Sequence, residues 1–146
     1  MLAPFEAEGG ENPYALHAEL QETMQGLVGI IRTEAELKEA VGALDRLEER
    51  LDRVTVEGNR QFNPGWHLAL DLRSMLTISR AVTRSALLRT ESRGGHTRED
   101  FPKSDAAWGT KNVVTRKRGT QLELATDPLP QMPEELRQLV MSEETA

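Results

Sequence analysis

Six apolar residues between positions 37 and 54, Leu37, Ala40, Leu44, Leu47, Leu51 and Val54, recur at spacings of 3, 4, 3, 4 and 3. That rhythm returns a side chain to the same face of a helix for about five turns, which neither a strand nor a loop can do. The segment also carries its own start signal. Thr33-Glu34-Ala35-Glu36 is a capping box, in which the hydroxyl accepts one orphan N–H and the Glu36 carboxylate reaches back to another. The remaining side chains, from Asp45 and Arg46 through Glu48, Glu49 and Arg50 to Asp52 and Arg53, make a charged outer face. Such a helix must lay its seam along other helices.

Two partners are legible. Asn12-Pro13 is an N-cap followed by a proline that needs no amide hydrogen at the first helical position. Leu16, Leu20, Met24 and Leu27 then form one stripe, which Gly26 and Gly29 weaken at its end. Asn63-Pro64 repeats the device, and Leu68, Leu72, Met75, Ser79, Val82 and Ala86 continue at 4, 3, 4, 3 and 4. Trp66, Leu76, Ile78 and Leu87 widen this stripe, so the third helix, of about 25 residues and equal in length to the second, is expected to be buried on more than one side. The fold expected is all-α: an antiparallel three-helix, spectrin-repeat-like bundle over 13–95. Residues 1–12 read as a linker, and 96–146 as an irregular C-terminal extension with a short β-hairpin near 112–126 around Arg118-Gly119. Pro128, Pro130 and Pro133 suggest an extended stretch, Pro133-Glu134-Glu135-Leu136 a last short helix, and 141–146 a frayed end.

Composition narrows the function. The 146 residues carry 24 acids and 18 Lys or Arg, a net charge of −6. Residues 1–57 hold 13 acids against 5 bases, whereas 58–126 hold 6 acids against 12 bases. The basic stretch either faces something anionic or is neutralised by the acidic first half within one fold. The acidic balance argues against nonspecific nucleic-acid binding. There is no cysteine, which removes disulfides, iron–sulfur ligation and Cys-zinc sites. No run of 18 apolar residues exists, so no direct membrane insertion is expected. The 11 glycines never form G-x-G-x-x-G or a P-loop, and His17, His67 and His96 lack metal-ligand spacing.

One constellation is dense enough for chemistry. Arg89 to Pro102 (RTESRGGHTREDFP) packs three arginines, acids, a histidine and hydroxyls around a double glycine. It can close on itself as a hydrogen-bonded helix terminus, or present forked guanidiniums to a carboxylate. A third reading makes His96 with Glu91 or Asp100 an acid–base pair. Trp66 and Phe62, at the third helix start, read as core anchors before ligand stackers.

The strings Asn63-Pro64-Gly65-Trp66-His67-Leu68-Ala69-Leu70-Asp71-Leu72, Arg89-Thr90-Glu91-Ser92-Arg93-Gly94-Gly95-His96 and Arg98-Glu99-Asp100-Phe101-Pro102 resemble the C-terminal helical domain of the succinate dehydrogenase/fumarate reductase flavoprotein subunit family. Glu19 to Met24 and Gly29-Ile30-Ile31-Arg32 resemble that domain's opening helix. L-aspartate oxidase and adenylylsulfate reductase are relatives with a similar domain. The resemblance implies a non-catalytic domain of an FAD-dependent dicarboxylate oxidoreductase, with FAD held by the full-length parent and no cofactor or metal bound by this chain. The partners it implies are the FAD-binding and capping domains of the same subunit, with an iron–sulfur subunit beyond them, at a cytoplasmic location peripheral to a membrane. Arg89, Glu91, Arg93, His96 and Arg98 are then expected to form the seam against the FAD domain, with Ser92, Asp100, Trp66 and His67 as further motif residues. The linker-like start after Met1 fits a cut at a domain boundary, and an uncovered apolar face would favour self-association. The alternative is a stand-alone helical module that binds a partner protein through the basic 89–118 region.

Overall fold

The computed structural model describes residues 3–5, 9–119 and 121–143, with side chains as far as Gln138. Three helices dominate. Helix α1 spans Pro13–Leu27, and the Asn12 side chain accepts from the Tyr14 amide at its start. Helix α2 spans Glu34–Leu51 and is preceded by the two-residue strand β1, Ile31–Arg32. Both halves of its capping box form, with the Glu36 carboxylate 2.7 Å from the Thr33 amide. Helix α3 spans Pro64–Leu88, and Asn63 caps it through the Trp66 amide. A second two-residue strand, β2 (Thr97–Arg98), pairs in parallel with β1. The antiparallel hairpin β3 (Lys111–Arg118) and β4 (Gln121–Pro128) follows, and then α4, Glu134–Glu143.

The bundle and hairpin agree with the sequence reading, and the differences are informative. Helix α2 has 18 residues against 25 in α3, so the two are not equal. Val54 is buried as its spacing requires, but from beyond the helix, where it bridges to Glu11. The α3 seam keeps Leu72, Ser79 and Ala86 of the expected stripe buried, with Leu68 and Met75 half-buried against the core, and only Val82 of that stripe is exposed. Gly65, Ala69, Leu72, Leu76, Ser79, Thr83 and Ala86 are buried, whereas Ile78 and Val82 face outward. The buried face is shifted toward small residues, Gly65, Ala69 and Thr83, which let α3 approach its neighbours closely beside the buried Leu72 and Leu76. The hairpin extends past 112–126 at both ends, and Pro128 is its last strand residue. Its close lies at Gly119, whose φ of 60° suits glycine. The expected fraying over 141–146 falls at its end, 144–146, outside the described residues.

The core has two parts. Leu16, Leu20, Leu44, Leu47, Leu51, Val54, Val56, Ala69, Leu72 and Leu76 make the larger one. Val28, Leu37, Ala40 and Ala86 make a smaller one near the far end of α3. Between them Thr83 is buried, its hydroxyl donating to the Ser79 carbonyl at 2.8 Å. The described part of 1–12 is tied to the bundle. Phe5 lies 5.8 Å from the Trp66 ring, and Glu11 takes the Arg50 guanidinium at 2.6 Å. Gly10 is needed there, since a Cβ would sit 2.2 Å from the Arg53 carbonyl. No helix among the described residues is long and apolar enough to cross a membrane.

Candidate functional site: the arginine–carboxylate node after the third helix

The chain leaves α3 at Arg89 and turns back on itself. Arg93 and His96 exchange backbone bonds, N to O at 2.8 and 3.1 Å, around Gly94-Gly95. Gly94 has φ 59°, the glycine-favouring first position of a tight two-residue turn. This turn brings the residues on either side of it together.

Glu91 is wholly buried. One oxygen accepts from Arg89 Nε at 2.8 Å and Arg93 Nε at 3.0 Å. The other accepts from Arg93 Nη2 at 3.1 Å and the Asp105 amide at 2.7 Å. The Arg93 guanidinium holds its carboxyl down to about 2, against the burial that raises it, with help from the Asp105 amide and Arg89. Arg89 also lies over the Trp108 ring, 5.5 Å from its centroid, and Trp108 Nε1 donates to the Thr90 hydroxyl at 3.2 Å.

Arg98 is also wholly buried, and it spends its donors at two places. Nη1 reaches the carbonyls of Ala86, Leu87 and Arg89 at 3.0, 3.2 and 3.2 Å, so a cation sits on the orphan carbonyls at the end of α3. Nε and Nη2 grip the Asp100 carboxylate at 2.8 and 2.7 Å. The same carboxylate accepts from the Glu34 amide at 3.0 Å, the first residue of α2. Arg98 is the main cause of an Asp100 carboxyl lowered to about 2. The Ser92 hydroxyl accepts from the Arg98 amide at 2.8 Å and donates to the Phe101 carbonyl at 2.9 Å. Glu34 to Asp100 and the β1–β2 pair thus tie the loop to both long helices.

His96 stands apart from the two carboxylates. Its Nε2 bonds the Arg89 carbonyl at 3.2 Å, and burial first, then the charges of Arg32, Arg89 and Arg98, push its pKa down. Glu91 and Asp100 are each committed to arginines, so the acid–base pair is not assembled. Trp66 is half-buried against Phe5, and His67 is exposed beside it. They lie at the other end of α3 from the node. Phe62 is no core anchor: it is 99% exposed, at φ 54°.

Sequence reasoning gave Asp105 no part in the node and Arg32 no role. Arg32 had a signal: it is a lone charge between Ile30-Ile31 and the capping box. No dinucleotide cradle exists among the described residues, because neither two-stranded sheet is followed by a glycine-rich turn into a helix.

A helical bundle with a hairpin appended, whose last long helix ends in an arginine–carboxylate node, defines a mainly α-helical domain. The family described as "Fumarate reductase flavoprotein C-term" matches residues 17–141, and the chain belongs to that family. It is 38% identical over 99 residues to the fumarate reductase flavoprotein subunit of Helicobacter pylori, covering 67% of this chain and 14% of that one. It is 36% identical to the succinate dehydrogenase flavoprotein subunit of Coxiella burnetii, covering 75% and 19%. The solved Mycobacterium smegmatis Sdh1 in complex with UQ1 superposes with a TM-score of 0.84 at 50% identity, covering 99% of this chain and 25% of that one. The chain thus spans a quarter or less of the length of these relatives.

Proposed function

We propose that this chain is the non-catalytic C-terminal domain of a flavin-dependent succinate dehydrogenase or fumarate reductase flavoprotein, and that it packs against an FAD-binding domain. The observation that carries this reading is the state of the node. Both of its carboxylates, Glu91 and Asp100, are committed to guanidiniums, so neither is available to move a proton. Glu91 and Arg98 act inside the domain as fasteners, and Arg93, Ser92 and His96, nearer the surface, carry the contact. FAD belongs to the rest of the subunit, which lays hydride transfer between a dicarboxylate and the flavin outside this chain. A position peripheral to a membrane, beside an iron–sulfur subunit, follows from the same reading.

The test has two arms. The purified chain, titrated with FAD and assayed with succinate and an electron-accepting dye, should neither bind flavin nor turn over. Co-expressed with the FAD-binding part of a family member, it should co-purify with it. Turnover by the chain alone, or no association with the flavin domain, would overturn the reading. Association with unrelated proteins through 89–118 in place of the flavin domain would favour the stand-alone module.

A further inference from the structure

A cavity of about 470 Å³ opens between the second half of α3, β1 and the hairpin. Its walls include Arg32, Val82, Ser85, Arg89, His96 and Thr115. We propose that this cavity is a carboxylate-binding site, with Arg32 as the principal ligand and His96 beside it.

Arg32 differs from the other arginines near the node. It is 9% exposed, yet it has no ion pair among the described residues. Among the described residues its Nε is buried without a hydrogen-bond partner, and its one side-chain bond is a long 3.4 Å contact from Nη2 to the Ile30 carbonyl. Arg89 and Arg93 share Glu91, and Arg98 has Asp100. Of these four guanidiniums only that of Arg32 has no ion pair among the described residues. Burial and the charge of Arg98 already weaken the hold of Arg32 on its proton, the signature of a cation that lacks a counter-ion.

A buried guanidinium without an acceptor is a costly arrangement, and a planar fork of donors matches a carboxylate through two parallel bonds. The rest of the wall suits such a guest. His96 donates Nε2–H to a backbone carbonyl, and its Nδ1, without a bond among the described residues, donates to a carboxylate once the ring takes up a proton. The Ser85 and Thr115 hydroxyls lie 3.5 Å from one another in the same wall. Val82 supplies apolar surface for a short carbon chain. The carboxylate can come from an acidic side chain of an adjoining polypeptide or from a small free acid, and the two sources separate by experiment.

The chain is titrated with propionate, a stand-in for a glutamate side chain, and with glutarate, while the His96 ring and Arg32 Nε–H signals are followed by NMR. Chloride at equal ionic strength is the control. A saturable response to propionate with an upward shift of the His96 pKa is expected. Comparable affinity for the two acids assigns the site to a side-chain carboxylate, and glutarate tighter by about tenfold or more assigns it to a free acid. Arg32→Met should abolish the response while leaving the melting midpoint unchanged or raised, because it removes a charge that has no partner in the chain. An equal response to chloride, no response to either acid, or a lowered midpoint in Arg32→Met would overturn the proposal.

Discussion

Arg98 and Glu91 show what a single buried charge asks of its surroundings. Arg98 is held by three carbonyls and a carboxylate, a geometry that a point charge on a flexible stem cannot reproduce. Arg98→Ala leaves Asp100 and the α3 carbonyls uncompensated and should cost about 3–5 kcal/mol, and Arg98→Lys should recover less than half of it. Chemical denaturation measures both. The pH dependence has a definite sign. Glu91 and Asp100 are lowered to about 2 in the fold, against ordinary values of 4.5 and 3.8. Their stabilisation is complete above about pH 5 and is lost as pH falls through the carboxylate range toward 2. A melting curve followed from pH 7 to pH 2 should show that decline, and Glu91→Gln should flatten it while lowering the neutral-pH plateau. The identities in this node were legible in the string from Arg89 to Pro102. Their pairing was not, because Asp105, Trp108 and Glu34 join from outside that string.

At the scale of elements, local chemistry and periodicity had unequal power. All three helix starts stood in the sequence, since a cap and its proline or capping box act within four residues. The α2 seam was equally clear, because its heptad positions hold leucines and its other positions hold charge. Helix α3 offered a wide apolar face centred on Leu72, Ser79 and Ala86, and which of its edges turns inward depends on how near its neighbours stand. Leu44→Ala should cost about 2–5 kcal/mol, whereas Val82→Ala, at the exposed edge of the α3 face, should cost less than about 0.5 kcal/mol. Equal losses would place Val82 in the core. The β1–β2 pair had no sequence signal, because two residues are too few to show alternation.

The whole molecule is a bundle with a long arm. The hairpin meets α3 near Ser85 and Thr115, while the described side chains of α4 are all exposed. Deleting residues 130–146 should leave the unfolding midpoint of the bundle unchanged within error, measured by circular dichroism. The bundle was legible because helices declare themselves locally. The two-part core, split by Thr83 and Ser79, was not, since it follows from how the helices are set against one another.

Asp100 touches the first residue of α2 across 66 positions of sequence, and its partner Arg98 closes the end of α3. A contact spanning so much chain bears a loop-closure cost, and it is expected to form after the helices have docked. Interactions absent from the transition state act on the escape rate. Asp100→Asn should accordingly speed unfolding severalfold in stopped-flow traces and leave the refolding arm almost untouched. The loop then works as a latch: it contributes little to how the bundle is found and much to how long it stays closed.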